Sequence, residues 1–175
     1  MNIYFCGSIR GGRQDVNIYQ RIVKKLQQYG KVLTEHVSYD SLSAKALFGV
    51  RTTANNHIAL TDDCRSALNM HALGPGEDAV LDGDKAIHDR DVEWLMMSDV
   101  IVAEVTQPSL GVGYELGRAV AANKRVFCLF RPSSGKVLSA MIRGASTNSL
   151  FQVQDYTEDE VESILEKYFD SIKNL

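Results

Sequence analysis

Cysteine is scarce in this sequence, with three residues among 175, and no two of them form a Cys-x-x-Cys pair. An odd number without that spacing indicates no disulfide framework. Cys6 and Cys128 lie inside apolar runs, where a reduced, buried thiol is expected. The chain is long enough to bury one sizeable hydrophobic core instead.

Two further absences exclude classes of partner. Lys and Arg number 19 against 22 Asp and Glu, a net charge of −3, which leaves no large basic surface for a nucleic-acid polymer or an anionic lipid surface. No apolar run reaches the ~18 residues of a membrane helix, and the first residues lead directly into a strand-like segment. We therefore expect no membrane association and a cytoplasmic protein, with residence in the nucleus left open.

Strand-like and helix-like patterns alternate along the chain. Short apolar runs, several rich in β-branched residues, predict five buried strands at 3–6, 31–34, 99–105, 125–130 and 151–153. Apolar residues at three- and four-residue spacing predict helices at 16–29, around 87–95, at 114–123 and at 161–169. This alternation predicts an α/β fold: a doubly wound, mainly parallel five-stranded sheet, Rossmann- or flavodoxin-like, with helices on both faces.

One stretch, at about 41–83, departs from this pattern. It has scattered apolar residues, many Gly, Asn, Ser and Asp residues, and a Gly74-Pro75-Gly76 breaker. A compact domain seldom contains so long a structureless loop. We therefore interpret the chain as a single catalytic α/β domain, 1–175, interrupted by an atypical insertion that is a lid, a partly helical segment or disordered.

A glycine-rich loop follows the first predicted strand, at the sheet edge where such folds bind ligands. From Gly7 to Gln14 it nearly matches the phosphate-binding pattern G-x-x-x-x-G-K-[ST], but Arg13 and Gln14 replace the last two residues, so triphosphate chemistry is not expected. Backbone N–H groups, the Ser8 hydroxyl and the Arg10 guanidinium can still bind a phosphate. A tight turn that needs glycine for its geometry is the alternative.

A second glycine-containing loop, from Thr106 to Gly113, leads into the helix predicted from Tyr114. Glu115 then lies in the first turn, where the helix dipole lowers the pKa of a carboxyl group and keeps it ionised. An ionised carboxylate at the ligand edge of the sheet is a candidate nucleophile or base. A purely electrostatic role in starting the helix is the alternative.

Asp91 is the candidate partner of Glu115. It precedes the central strand on a predicted helix that also carries Asp89 and Glu93. Spacing alone does not choose among these three acids. A solvated helix face is the alternative explanation for all of them.

Histidine gives a weaker signal. His36 follows the second predicted strand at the same sheet edge, where a surface or packing role is the alternative to a role in the site. His57, Cys64 and His71 are evenly spaced but match no known metal-ligand spacing. No metal site is expected.

Five long segments carry a resemblance: 4–12 (YFCGSIRGG), 33–37 (LTEHV), 87–95, 102–119 (VAEVTQPSLGVGYELGRA) and 128–144. They resemble the 2′-deoxynucleoside 5′-phosphate N-hydrolases, relatives of the nucleoside 2-deoxyribosyltransferases. With the helices between them, these segments cover nearly everything outside about 41–83. The members of that family have a shorter link there, so about 30 residues of this chain have no counterpart in the resemblance.

The resemblance implies roles in catalysis. Glu115 would be the nucleophile that attacks the anomeric carbon of deoxyribose to form a covalent glycosyl-enzyme intermediate. Asp91 resembles the residue that protonates the departing base and assists hydrolysis, and Tyr4 the residue that orients the nucleophile. A retaining reaction of this type needs two carboxyl groups about 5–5.5 Å apart. No metal or cofactor is implied.

The resemblance also implies a substrate-binding site around the 5′-phosphate. Its residues are Gly7, Ser8, Ile9, Arg10 and Gly11 of the first loop, Ser109 and Gly111 of the second, and Ser139 of the neighbouring subunit, with Met141 at the same seam. A site shared in this way implies a homodimer. The implied reaction converts a deoxynucleoside 5′-monophosphate to deoxyribose 5-phosphate and free base.

Other readings stay open at this point. The base could be a normal purine or a modified pyrimidine such as that of 5-hydroxymethyl-deoxyuridylate. The chain could also be a nucleoside 2-deoxyribosyltransferase, or a nucleotide-sensing module without catalysis. A NAD dehydrogenase is disfavoured, because the shifted glycine spacing puts the Glu115 carboxylate where a pyrophosphate would lie.

Overall fold

The computed structural model describes residues 1–8, 15–34, 51–52, 58–59, 78–146 and 149–173. Its strands are β1 (Asn2–Cys6), β2 (Lys31–Val32), β3 (Arg51–Thr52), β4 (Ile58–Ala59), β5 (Val100–Glu104), β6 (Arg125–Phe130) and β7 (Phe151–Asp155). Its helices are α1 (Val16–Leu26), α2 (Asp78–Met97), α3 (Leu110–Ala121), α4 (Ala140–Gly144) and α5 (Val161–Ile172), with 3₁₀ turns at Pro132–Ser134 and Glu158–Glu160. The chain divides into two compact units, Met1–Ser38 with Asp91–Leu175, and Tyr39–Arg90.

The first unit contains an all-parallel sheet with the strand order β2-β1-β5-β6-β7. Phe5 lies opposite Val102, and Val102 lies opposite Phe127 in the next strand. The α/β class and the five predicted strands are confirmed. The strand order reverses between β1 and β5, and in folds of this type ligands bind beyond the carboxyl ends of the strands at that point.

Side-chain alternation along the strands separates two buried clusters. On what we name the first face, Ile3 and Phe5 pack with α1 and α5. On the second face, Tyr4 and Cys6 pack with α3 and the end of α2. Helices therefore cover both faces, as predicted. Cys6 and Cys128 are free thiols buried on the second face, and burial raises the pKa of Cys128 to about 12.

The second strand is shorter than predicted, because a side chain replaces the sheet ladder at its end. Thr34 Oγ1 accepts a hydrogen bond from the Phe5 amide at 2.8 Å and donates one to the Phe5 carbonyl at 2.6 Å. The fully buried Thr34 thus keeps the chain beside β1 after the ladder has stopped at Val32.

Two helix boundaries also differ from the prediction. The first helix ends at Leu26, before the predicted end of its apolar stripe. Gly30, which follows this helix, lies against the first residue, where an added Cβ would stand 2.2 Å from the Met1 carbonyl oxygen. The helix expected around 87–95 begins earlier, at Asp78, and its start was missed because the first turns contain polar residues and Gly83 and show no apolar repeat.

The second unit contains an antiparallel pair of two-residue strands. Arg51 lies opposite Ala59, and Thr52 lies opposite Ile58. The insertion proposed at about 41–83 stays a prediction, because most of that range lies outside the described residues. No helix in the described part of the chain is both long and apolar enough to cross a membrane.

Candidate active site

The candidate site begins on the second face of β1. Tyr4 and Cys6 lie two positions apart and therefore point to the same side of the sheet, toward α3. Helix α3 turns Val112, Leu116 and Ala119 toward the sheet at helical spacing. Glu115 lies beside this buried stripe, so its carboxylate faces the strand that carries Tyr4.

Helix α3 begins earlier than predicted, at Leu110 rather than Tyr114. Ser109 is its N-cap, and the Ser109 hydroxyl accepts a hydrogen bond from the Val112 amide at 3.4 Å. The prediction that Glu115 occupies the first turn is therefore wrong, and that turn contains no acidic residue. The glycines at 111 and 113 hid the helix start, because glycine lowers helix propensity and mimics a loop.

Two groups of β1 donate hydrogen bonds to the Glu115 carboxylate. Tyr4 Oη donates to Glu115 Oε1 at 2.6 Å, across 111 positions of sequence. The Cys6 thiol is the second donor. Burial, followed by the charge of Glu115, raises the pKa of Tyr4 far above its ordinary value, so its hydroxyl stays protonated and able to donate.

The pKa of Glu115 is raised, and the lowered value expected from the helix dipole is wrong. Burial is the main cause, and the charge of Asp91 adds to it. The hydrogen bonds from Tyr4 and Cys6 act in the opposite direction because they stabilise the ionised carboxylate. Glu115 is in the second turn of α3, where the dipole is too weak to offset this desolvation.

The structure distinguishes the three acids that sequence spacing left equivalent. Asp89 is exposed, forms an ion pair with Lys85 and is hydrogen-bonded to the ring of His88. Glu93 is exposed on the same helix. Asp91 is partly buried, and its charge raises the pKa values of both Tyr4 and Glu115. Asp91 is therefore the acid that the fold brings to Glu115.

The first glycine loop starts on the same sheet edge. Gly7 packs on the Tyr19 ring, and an added Cβ would stand 2.9 Å from Tyr19 Cζ, so a side chain here would displace the ring. The buried Ser8 donates its backbone N–H to Tyr19 Oη at 3.1 Å. The other predicted residues of this loop lie outside the described residues; they are Ile9, Arg10, Gly11, Arg13 and Gln14. His36 also lies outside the described residues.

The second group of predicted phosphate residues lies around a cavity of about 390 Å³. Ser109, Ser139 and Met141 line this cavity, and Gly111 is exposed in the first turn of α3 nearby. Ser139 is exposed immediately before α4, and Met141 is 83% exposed. The cavity thus brings residues of two distant segments to one place within a single chain.

Sequence reasoning missed two parts of this sheet edge. Cys6 was interpreted only as a buried thiol, although its two-residue spacing from Tyr4 already put it on the same face. A cluster around the buried Arg131 and Glu104 was not recognised at all. Glu104 ends an apolar strand, and a charged residue at that point is the signal that could have revealed it.

The described part of the chain gives no support for a metal site. Among the described residues, no three His, Cys, Asp or Glu side chains are grouped closely enough to hold a metal ion. His57, Cys64 and His71 lie outside those residues. The chemistry available at the described site is that of two carboxyl groups, a phenol and a thiol.

Comparisons with known proteins agree on one family. Residues 3–141 match the model of the nucleoside 2-deoxyribosyltransferase family. A 5-hydroxymethyl-dUMP N-hydrolase of Danio rerio is 70% identical over 172 residues, covering 98% of this chain and 98% of the relative. That of Homo sapiens is 53% identical over 169 residues, covering 97% of this chain and 79% of the relative. The solved CMP N-glycosidase of Clostridium botulinum has a TM-score of 0.58 at 15% identity, covers 96% of this chain and 99% of its own, and so shows the fold alone.

Proposed function

The chain belongs to the nucleoside 2-deoxyribosyltransferase family, and we propose that it hydrolyses the N-glycosidic bond of 2′-deoxynucleoside 5′-monophosphates. The products are deoxyribose 5-phosphate and the free base. The observation that carries this proposal is the Glu115 carboxylate, held by Tyr4 at 2.6 Å with the Asp91 charge close by. An acid pair with one oriented carboxylate is the machinery of a retaining glycosidase.

In the first step the Glu115 carboxylate attacks C1′ of the sugar while the C1′–N bond breaks. Asp91 gives its proton to the departing base, and the sugar passes through an oxocarbenium-like state before it is bonded to Glu115. In the second step Asp91 removes a proton from water, which attacks C1′ and releases Glu115. The Tyr4 hydroxyl keeps the attacking oxygen oriented, since it holds the carboxylate throughout.

The raised pKa of Glu115 fits these two steps. A desolvated carboxylate is a stronger nucleophile than a hydrated one, while the Tyr4 and Cys6 donors preserve its ionised form. A neighbouring arginine would stabilise the negative charge of the carboxylate and so make it a weaker nucleophile. The acid limb of the pH–rate profile should therefore lie above the ordinary pKa range of a glutamate.

We further propose that 5-hydroxymethyl-dUMP is the preferred substrate. Support comes from the relatives of Danio rerio and Homo sapiens, which carry that substrate in their names at 70% and 53% identity over nearly the whole chain. The phosphate would be bound by Gly7, Ser8 and Ser109 at the two loop ends. A hydroxymethyl pyrimidine would then occupy the side of the site nearer Asp91.

The decisive experiment follows base release from 5-hydroxymethyl-dUMP, dUMP, dGMP, the matching nucleosides and CMP by chromatography. We expect base only from the deoxynucleoside monophosphates, fastest from 5-hydroxymethyl-dUMP. Adding a second free base tests transfer, since a deoxyribosyltransferase would produce a new nucleoside. Failure to release base from every deoxynucleotide would overturn the proposed hydrolysis.

We also propose that two copies of the chain share their active sites. Leu110, Val137 and Met141 are 96%, 90% and 83% exposed, a degree of apolar exposure at one cavity that favours burial by a second subunit. Ser139, at the same cavity, would contribute its hydroxyl to the phosphate site of the partner.

Mixing two inactive or weakened variants tests this shared site. Glu115→Gln lacks the nucleophile but retains Ser139, whereas Ser139→Ala retains the nucleophile but lacks the Ser139 hydroxyl. In a mixed dimer, one of the two sites regains both groups if Ser139 acts across the interface. The low KM should then reappear on mixing. Unchanged kinetics after verified subunit exchange would show that Ser139 acts within its own chain or not at all.

A further inference from the structure

A second buried cluster lies on the first face of the sheet, where the proposed reaction does not use it. Its centre is Glu104, the last residue of β5, which is fully buried. The Thr106 hydroxyl donates to Glu104 Oε1, the Thr106 amide donates to Oε2 at 3.3 Å, and the Tyr156 hydroxyl donates to Oε1 at 3.1 Å. Burial raises the pKa of Glu104 despite these donors.

Arg131 supplies the positive charge of this cluster. It follows β6, is 8% exposed, and its amide donates to Thr106 Oγ1 at 2.9 Å. Its Nε lies 3.7 Å from Glu104 Oε1, and its two terminal nitrogens pair with Asp15 and Glu158. The guanidinium thus connects the ends of β5 and β6 with the residue before α1 and the 3₁₀ turn at Glu158–Glu160.

The cluster touches both ends of the first glycine loop. At one end, Asp15 immediately precedes α1 and is held by Arg131. At the other end, the Ser8 amide donates to Tyr19 Oη, and Tyr19 packs edge-on against Phe5 with ring centroids 5.7 Å apart. Burial is the main cause of the raised pKa of Tyr19, and the charges of Glu104 and Asp15 add to it. The Tyr19 phenol is therefore close enough to the cluster to be affected by its charges.

A buried ion pair is a poor way to gain stability, because desolvation offsets most of the attraction. What such a pair does supply is a fixed geometry, since its partners satisfy each other in few arrangements. Here the fixed positions are the backbone before and after the loop. Neither Arg131 nor Tyr19 lies on the face that carries Glu115, so a direct part in bond breaking is excluded by their placement.

We propose that Arg131 and Tyr19 are positioning residues for the 5′-phosphate, because they fix the two ends of the first glycine loop at Asp15 and Ser8. This inference rests on the proposed function, in which Gly7 and Ser8 at the start of that loop bind the phosphate of the substrate. Arg131 and Tyr19 act through the backbone and do not touch the substrate. Their loss therefore weakens phosphate binding and leaves the chemical step intact.

Two variants test the proposal with minimal disturbance of packing. Tyr19→Phe keeps the ring but removes the acceptor of the Ser8 amide, and Asp15→Asn keeps the shape but removes the charge that binds Arg131. We expect KM for the deoxynucleoside 5′-monophosphate to rise about tenfold in each, the effect of one hydrogen bond or ion pair, while kcat changes less than about twofold.

Matched controls separate this effect from a general loss of structure. Tyr168→Phe removes the hydroxyl of another buried tyrosine, stacked on Phe127 with centroids 4.0 Å apart on the same face. Glu162→Gln removes a carboxylate from the ion pair with Arg21, which is 2.7 Å long. Both controls should leave KM unchanged. A fall in kcat equal to the rise in KM, or an equal rise of KM in the controls, would overturn the positioning role.

Binding of inorganic phosphate, measured by calorimetry, makes the proposal independent of catalysis. Wild type and both controls should bind phosphate with one affinity, and Tyr19→Phe and Asp15→Asn about tenfold more weakly. If wild type releases no base but this difference in phosphate affinity is found, the proposed function fails and the positioning role stands. Equal phosphate affinity in all five proteins would remove the positioning role even if the enzyme is active.

Discussion

Glu104 and Glu115 are both acidic residues at the ligand edge of one sheet, and burial raises the pKa of each. Glu104 is fully buried, and the Arg131 guanidinium provides its countercharge. Glu115 is only partly buried, and its recorded neighbours are a phenol, a thiol and a second carboxylate. The comparison teaches that a built-in countercharge makes a buried carboxylate structural, whereas neutral donors leave it free to react.

Placement on the sheet reinforces this division. Glu104 lies on the first face of the sheet. Tyr19 and Tyr156 belong to the larger of the two apolar clusters, on the same face. Glu115 faces Tyr4 and Cys6 on the other side. Because alternate residues of a strand point to opposite faces, one layer of the fold holds the loop ends while the other holds the proposed nucleophile.

Removing the proposed nucleophile gives the largest expected effect. Glu115→Gln should lower kcat about 10⁴-fold or more, because the amide cannot form the glycosyl-enzyme intermediate. Base release under single-turnover conditions measures this loss. The variant should still bind the product deoxyribose 5-phosphate. If Glu115→Gln turned over at the wild-type rate while binding tightly, the assignment of this residue as nucleophile would be lost.

The second prediction separates the acids of α2. Asp91→Asn should lower kcat about 10²–10⁴-fold, since general acid–base assistance to the departing base and to water is removed. Asp89→Asn, at an exposed ion pair with Lys85, is the matched control and should stay near the wild-type rate. The two losses should differ most for substrates with a poor leaving base. Equal rates for both variants would remove Asp91 from the reaction.

The third prediction concerns the structural carboxylate. Glu104→Gln should lower the free energy of unfolding by about 1–3 kcal/mol, because Arg131 loses one buried partner while Asp15 and Glu158 remain. Urea unfolding measures the change, and kcat should stay within about threefold of wild type. Glu162→Gln, at a partly exposed ion pair, should cost under about 1 kcal/mol. A loss of kcat comparable to that of Glu115→Gln would break the division between the two carboxylates.

The fourth prediction uses pH. Tyr4→Phe removes the hydrogen bond that lowers the pKa of Glu115, so burial and the Asp91 charge raise that pKa further. A nucleophile must be ionised, and the acid limb of kcat/KM should therefore move to higher pH. At neutral pH the rate should fall about tenfold. A limb that moved toward lower pH, or did not move, would show that the Tyr4 bond does not stabilise the ionised form.

The smallest effect is expected at the thiol. Cys6→Ala should move the same acid limb to higher pH, but by less than Tyr4→Phe, because a thiol is a weaker donor than a phenol. Cys6→Ser restores a donor at the same position and should reverse the shift. Cys128→Ala is the control, since this buried thiol lies on the same face without contributing to the pKa of Glu115. The same shift in Cys6→Ala and Cys6→Ser would indicate a packing effect instead.

Much of the fold could be predicted from local pattern. The strand at 125–130 agrees with β6 at both ends, and the stripe at 161–169 lies within α5. The strand is buried over nearly its whole length and the helix along one face, so the apolar residues recur with the period of each element. The start of α3 could not be predicted in the same way, because Gly111 and Gly113 stand in a first turn that packing and the Ser109 cap stabilise.

The sequence predicted which residues form the candidate site, but not how these residues contact one another. Glu115 was identified from its position in the sequence and Tyr4 through the family resemblance, and the structure joins them at 2.6 Å. Their catalytic roles and that of Asp91 stay predictions. The direction of the Glu115 pKa shift was wrong at the sequence level, because the expected helix start placed the carboxylate at the dipole and ignored its burial.

The sequence by itself determined the α/β class, the five strands, the family and the residues able to do chemistry, since these depend on residue type and on periods of two and 3.6. Only the tertiary structure decided which of three acids approaches Glu115, that Cys6 is its second donor, and that Arg131 connects Glu104 with Asp15. These relations join residues up to 116 positions apart. Burial and long-range contacts set the energies of charged groups, and no local pattern encodes either.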